Sequence, residues 1–310
     1  MASSNPVERA AGLGSAVAGV PLRLVGGLAA PARGDMARSV RRAIGITEQP
    51  PSISTDPQES YLPPDGMARL VHADLPSMLI GGVSALLLQM LHPLAMAGVA
   101  EHSNYAEDPL GRLSRTAAFV AATTFGTTGQ AEAAIAQVDR VHRRVRGTAP
   151  DGRPYSAADP ELVTFIHVAE VSSFLASSQR YGPRPLRPAE CDRYYEEVAP
   201  VALALGADWA PRSVDEVESY LLRVRPELHA GPQARAARDW LVRGVARRPA
   251  ERAVYTLVLS AAIGTLPGWA RRKLGLSLAG PLDLLIDTAA VAPLTRGLSA
   301  AVRWVVTPPR

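Results

Sequence analysis

The feature that most constrains the fold is a long stretch without charge, from Leu75 to Ala100. It is long enough to cross a bilayer, which takes about 20 residues. Prolines and polar residues interrupt it, among them Pro76 and Pro93, and a proline inside a helix breaks or kinks that helix. We therefore predict a helix that ends near Met90 and is buried in a large helical core, with a membrane span as the alternative.

Helical periodicity continues through most of the chain. Apolar residues recur at spacings of three and four, and strand-like alternation is scarce. The pattern predicts an all-α fold with a single large helical domain over residues 34–310. Glycine and proline mark the expected helix ends. The later helices are predicted at residues 110–125, 130–146 (ending at Gly147), 160–180, 189–205, 213–224, 233–247, 250–265 and 281–305.

The first 33 residues differ from the rest. They are rich in alanine, glycine and valine, and Arg23 interrupts the apolar part. A secretory signal needs a basic start and an unbroken apolar segment, which this one lacks. We predict a flexible N-terminal arm over residues 1–33 and a cytoplasmic protein. The uncharged stretch leaves membrane association, through peripheral contact, as the alternative.

Charge and motifs exclude several function classes. The chain has 33 basic and 29 acidic residues, and only Lys273 is a lysine. Because the basic residues are scattered among acids, we expect no nucleic-acid partner. The single cysteine, Cys191, excludes an internal disulfide and a Cys₂ or Cys₄ metal site. No GxxxxGK[ST] motif occurs, and Gly26-Gly27 and Gly81-Gly82 are incomplete as dinucleotide fingerprints, so nucleotide-dependent chemistry has no support. The HExxH zinc motif and the GxSxG serine motif do not occur either.

Two histidines lie on apolar helix faces. His142 has apolar residues seven and four positions before it and three after it, and His167 has them at four before and at four and seven after. An inward histidine is often a satisfied core side chain. A pair on neighbouring helices raises the prospect of a site, either a single haem ligand or a two-histidine iron site with Glu101 or Glu170. Zinc would need three or four ligands with clear spacing, and none is seen.

A polar helix face precedes these histidines. Arg112, Arg115, Thr116 and Phe119 are spaced at zero, three, four and seven, so they share one face of a helix. If that face is exposed, the residues are ordinary surface positions. If it faces a pocket, Arg112 and Thr116 offer hydrogen-bond donors to a haem propionate or to dioxygen.

Five segments together resemble the bacterial MpaB-type oxygenase family, whose best-known members are the latex-clearing proteins (rubber oxygenases). They are "LLLQMLHPLAMAGVAEHSNY", "DPLGRLSRT", "VDRVHRRVRG", "DGRPYSAADPELVTFIH" and "ECDRYYEEV", and the resemblance covers roughly residues 65–305. It implies an all-α fold with a globin-like core and a haem pocket between helices. It also implies b-type haem and the use of dioxygen to cleave a carbon–carbon double bond.

The resemblance assigns roles to particular residues. His142 matches the axial haem ligand and the metal site, Arg112 and Thr116 match distal catalytic residues, and Glu101 matches the catalytic glutamate. Two further cofactor-site positions, His92 and His167, match recurrent family positions. Arg115 stands where latex-clearing proteins place a lysine that can bind haem iron. A guanidinium stays protonated and does not ligate iron, so we expect a substrate other than rubber.

These observations together predict a haem b-dependent oxygenase or oxidoreductase. Its partners would be dioxygen and a small hydrophobic substrate that contains an alkene. The alternatives are a non-catalytic haem- or lipid-binding helical protein and a membrane-associated structural protein. The sequence does not predict the oligomeric state.

Overall fold

The computed structural model describes residues 53–103, 109–243, 249–277 and 287–306. The predicted arm at residues 1–33 lies outside them. The described chain is predominantly helical, which confirms the all-α prediction. Its elements in order are α1 (Met67–His72), α2 (Leu75–Gln89), α3 (Pro93–His102), α4 (Pro109–Phe125), α5 (Thr128–His142), β1 (Arg146–Thr148), β2 (Pro154–Ser156), α6 (Pro160–Tyr181), α7 (Pro188–Ala204), α8 (Val214–Val224), α9 (Pro232–Arg243), α10 (Pro249–Thr265), α11 (Gly268–Leu274), a π-helix (Asp287–Val291) and α12 (Ala292–Val306).

Helix α6 forms the centre of the core and packs along α2. It begins where Asp159 accepts hydrogen bonds from the backbone N–H groups of Glu161 and Leu162, and Pro160 occupies its first turn. A proline costs nothing there because its missing N–H would have no helical partner. Most of the α6 side chains are buried, as expected for a helix surrounded by other helices.

The uncharged stretch forms two helices. Helices α2 and α3 meet at an angle of 106°, and His92 caps α3 while Pro93 starts it. Leu87 and Leu88, near the end of α2, and Leu91, in the turn after it, are fully buried in the main core cluster, so this end of α2 lies in the core as predicted. Within the described ranges no single helix has the length and apolarity to cross a membrane, whereas α2 and α3 taken together meet those criteria.

A β-hairpin follows α5 and corrects one prediction. The helix predicted over residues 130–146 ends at His142, and Gly147 pairs with Tyr155 between two short antiparallel strands instead of capping a helix. A Cβ atom at Gly147 would lie 2.6 Å from the Tyr155 hydroxyl oxygen and 2.8 Å from Oε2 of Glu101, so a larger residue there would displace these two side chains. Gly152 forms the turn with φ of +86°.

A buried arginine fixes α1 against the end of α4. Arg69 is 7 % exposed and donates to the backbone oxygens of Ser54 at 2.6 Å and Thr124 at 3.0 Å, and to Oγ of Ser60 at 3.2 Å. Its guanidinium also lies over the ring of Phe125. These bonds hold α1, the segment before it and the last turn of α4 together. They therefore fix the positions of the side chains that lie between α1 and α4.

Candidate functional site

A small cavity lies where α1, α4, α6 and α7 meet. Its volume is about 30 Å³, which is enough for a water molecule or a small polar group. Polar groups reach it from α1, α4 and α6. Its apolar lining comes from the loop before α1 and from α4, α6 and α7, through Leu62, Phe119, Val120, Val171, Phe174, Val198 and Val201.

His167 lines this cavity from α6. It is 9 % exposed, and its face neighbours Val163, Val171 and Phe174 are buried too, which confirms the predicted inward orientation. Its Nε2 atom is buried without a hydrogen-bond partner among the described residues. Burial lowers the pKa of His167 to about 4, so the ring is neutral near pH 7. A neutral, unpartnered ring nitrogen facing a cavity can bond a ligand.

His72 also lines the cavity, and sequence reasoning gave it no role. Its Nδ1 lies 2.8 Å from Oγ1 of Thr124 and its Nε2 lies 3.0 Å from the hydroxyl of Tyr194. Burial and the neighbouring His167 lower the pKa of His72 to about 3. Since both ring nitrogens have partners, His72 orders the cavity wall. Its partners lie far away in the sequence, so the only sequence signal was a histidine at the end of an apolar helix.

Glu170 supplies the carboxylate of the cavity. It lies one turn after His167 on α6, is half-buried, and accepts a bond of 3.4 Å from Nε2 of Gln89. In the part of the chain that the structure describes, no three His, Cys, Asp or Glu side chains are placed to hold a metal ion. The two-histidine iron site considered from the sequence is therefore not formed by the described residues.

His142 lies elsewhere, at the C-terminal end of α5. It is half-buried, and Ile135 on the same face is buried. Its Nδ1 is buried with no partner among the residues described. Burial lowers the pKa of His142, although nearby Asp139 acts to raise it. The ring is therefore neutral, as an iron ligand must be.

Helix α4 carries the predicted polar face. Phe119 lines the cavity, Thr116 is half-buried and Arg115 is exposed. Arg112 lies on α4, and its side chain is outside the described set. After a two-residue connection α5 packs against α4. At 1.5 Å per residue, Arg112 and His142 each lie about 20 Å along their helices from that connection. Two helices joined by a short connection run antiparallel, so Arg112 and His142 lie at about the same height along the pair formed by α4 and α5.

Glu101 and His92 lie outside the cavity lining. Glu101 is exposed on α3 and accepts a hydrogen bond from the Tyr155 hydroxyl, and burial together with Glu101 raises the pKa of Tyr155 to about 12. The catalytic role of Glu101 stays a prediction. His92 accepts the Ala95 N–H through Nδ1, and its ring lies 4.8 Å from that of Phe165. Burial is the main cause that lowers the pKa of His92 to about 4.

The donor chemistry of the two inward histidines suits haem iron. Each has a neutral ring with a buried nitrogen that lacks a partner among the described residues. The cavity beside His167 is far smaller than the 300–1,000 Å³ or so of ordinary cofactor sites, so it does not accommodate a porphyrin as it stands. The small volume counts against His167 as the iron ligand, and the role of His142 as that ligand stays a prediction from the resemblance.

Comparison with known proteins gives one result. A family model described as "ER-bound oxygenase mpaB/B'/Rubber oxygenase, catalytic domain" matches residues 69–304, from α1 to α12. No curated protein and no solved structure matches the chain. The matched range includes every candidate site residue discussed above.

Proposed function

The chain belongs to the mpaB/rubber oxygenase catalytic-domain family, and from this premise we propose that it is a haem b-dependent oxygenase acting with dioxygen on a small hydrophobic alkene. The single structural observation that supports the proposal is the buried Nδ1 of His142, which has no partner among the described residues. A neutral imidazole whose ring nitrogen is engaged by no other described residue can ligate haem iron.

The residues have distinct proposed roles. His142 would hold the iron, and the haem would supply the dioxygen chemistry. Thr116 and Arg112, on the helix against which α5 packs, would donate hydrogen bonds to polar groups on the cofactor or to dioxygen. Arg115 is exposed on α4, and a guanidinium offers hydrogen-bond donors and no acceptor, so Arg115 would not serve as a second iron ligand. The protein would therefore lack a closed state in which a lysine binds the haem iron.

Dioxygen consumption tests the proposal. The full chain is purified, loaded with haem, and supplied with a series of apolar alkenes in an oxygen electrode. Arg112→Ala should keep the haem spectrum and lower turnover by roughly a hundredfold, which is the usual effect of removing one catalytic donor. His229→Ala, at an exposed position, is the matched control and should change neither.

Three outcomes of this experiment distinguish the proposed oxygenase from its alternatives. Oxygen uptake that depends on an alkene and on Arg112 supports the oxygenase. Haem binding without oxygen uptake for any alkene supports the alternative of a non-catalytic haem carrier. Binding of apolar molecules without haem binding refutes the cofactor assignment.

A further inference from the structure

Two adjacent arginines on α11 point their guanidinium groups at one place on the surface. Nη1 of Arg272 lies 3.5 Å, and Nη2 of Arg271 lies 4.0 Å, from the position that a Cβ atom at Gly268 would occupy. Residues three and four positions apart share one face of a helix, which explains why both side chains reach Gly268. Neither guanidinium has an ion pair or a hydrogen bond with a side chain or backbone group among the described residues. Two positive charges therefore lie close together without a carboxylate from the described chain.

Arg271 is also partly removed from water. Its Nε atom is buried and has no hydrogen-bond partner in the described part of the chain. A buried donor without an acceptor is unfavourable, and more so in a charged group. An anion that bonds the outer nitrogens of this guanidinium would compensate for the lost hydration, so the arrangement favours a bound anion.

The helix that carries the two arginines is held firmly in place. Ala270 and Leu274 on its inner face are fully buried. Nζ of Lys273 donates to the backbone oxygen of Leu228 at 2.6 Å, and Nη1 of Arg238 donates to the backbone oxygen of Leu274 at 2.6 Å. These bonds fix α11 to the segment after α8 and to α9. A fixed support lowers the entropic cost of binding a ligand.

The surroundings of the pair are strongly basic. Helices α9 and α11 together carry six basic residues and one acidic residue, Asp239, which is paired with Arg238. A further guanidinium, that of Arg225 at the end of α8, lies 5.6 Å from the centre of the Trp269 ring. Trp269 precedes Arg272 by three residues and so shares its helix face. The positive potential of this surface attracts anions.

The geometry of the pair suits a phosphoryl group. A guanidinium presents N–H groups in a planar fork that matches the oxygens of phosphate. A phosphoryl group has enough oxygens to accept from two guanidiniums at once. The space between them is open, because Gly268 has no side chain.

We propose that Arg271 and Arg272 form a binding site for a phosphoryl group, with Arg225 adding to the attraction. Two sources offer this chemistry. One is inorganic phosphate or a small phosphorylated molecule in solution, and the other is the phosphate monoester head group of a lipid. The site is independent of the proposed oxygenase function, since none of its residues takes part in the proposed haem chemistry.

Two probes measure binding to the full chain. Inorganic phosphate is titrated by isothermal calorimetry at constant ionic strength, because salt screens charges at a surface. Phosphatidylcholine vesicles with and without phosphatidic acid are tested by co-sedimentation. Arg271→Gln and Arg272→Gln should each weaken phosphate binding about tenfold, since each removes hydrogen bonds to a charged group. Arg212→Gln alters an exposed arginine before α8 and is the matched control, which should leave binding unchanged.

Two further variants test the geometry without removing a positive charge. Arg272→Lys keeps the charge and loses the planar fork, so its affinity for phosphate should fall between those of the wild type and Arg272→Gln. Gly268→Val fills the space between the guanidiniums and should also weaken binding. Wild-type affinity in both variants would show that charge alone attracts the anion, and it would overturn the site.

The two probes also identify the source of the phosphoryl group. Binding of phosphate without binding of vesicles indicates a ligand in solution. Sedimentation that requires phosphatidic acid, and that is lost in Arg272→Gln, indicates a lipid head group. Binding of neither probe, or equal binding by the wild type and Arg272→Gln, refutes the site. If Arg271→Gln does not fold by circular dichroism, the exposed Arg272 decides alone.

Discussion

Three histidines should make this protein sensitive to mild acid. His72, His92 and His167 have pKa values lowered by burial to about 3, 4 and 4. In the unfolded chain each should titrate near the usual value of about 6.5. Below that pH the unfolded chain binds protons that the folded chain excludes. Proton binding to the unfolded chain therefore does not affect the unfolding free energy above about pH 6.5. Below that pH it lowers the unfolding free energy increasingly, until the folded chain also binds protons near pH 4.

The size of the effect follows from these pKa values. Between pH 7.5 and 5.5 each histidine should cost about 1.3 kcal/mol of unfolding free energy, so the three together cost about 4 kcal/mol. Domains are typically stable by about 5–15 kcal/mol, so the loss is a large share of the total. Urea unfolding at the two pH values, followed by circular dichroism, measures it directly.

One variant isolates a single histidine. His92→Asn keeps a side chain that caps a helix N-terminus and removes the titrating ring, so it should reduce the pH-dependent loss by about 1.3 kcal/mol. His229→Asn alters an exposed histidine and serves as the control, which should leave the loss unchanged. A His92→Asn protein that loses as much stability as the wild type between pH 7.5 and 5.5 would refute this account of the three histidines.

Three further substitutions test the fold. Arg69→Met should lower the unfolding free energy by about 3 kcal/mol in urea, because it leaves buried acceptors without a donor; a loss below about 0.5 kcal/mol would contradict its clamping role. Gly147→Ala should cost about 2 kcal/mol and lower the melting temperature, since its Cβ would meet the Tyr155 hydroxyl, and an unchanged melting temperature would show that the hairpin adapts. Arg303→Met should cost about 2 kcal/mol because it leaves the buried Asp74 carboxylate without its cation, and an unfolding free energy within about 0.5 kcal/mol of the wild type would contradict this role.

The sequence predicted the helices well because proline and glycine mark their ends. Pro160 and Pro188 begin helices near where the periodicity placed them, and the helix predicted at residues 110–125 lies at Pro109–Phe125. The hairpin was missed because three-residue strands are too short to show alternation. Gly147 resembled a helix cap, whereas its contact with the Tyr155 and Glu101 side chains exists only in three dimensions.

The candidate site was only partly predictable. Periodicity correctly oriented His167, because its neighbours on α6 share one apolar face. The bonds of His72 could not be predicted, since Thr124 and Tyr194 lie 52 and 122 positions away. Periodicity also gave no reason to place His142 and His167 apart, because it describes the face of one helix and not the packing between helices.

The absorption spectrum of the haem-titrated full chain tests the central claim most directly. Wild-type protein should gain a Soret band that saturates at one haem per chain, and the band should shift on reduction. His142→Ala should lose this band, while His167→Phe should keep it, because only His142 is proposed to bind the iron. A wild-type protein that gains no Soret band, or a His142→Ala protein that binds haem as tightly as the wild type, would contradict the account.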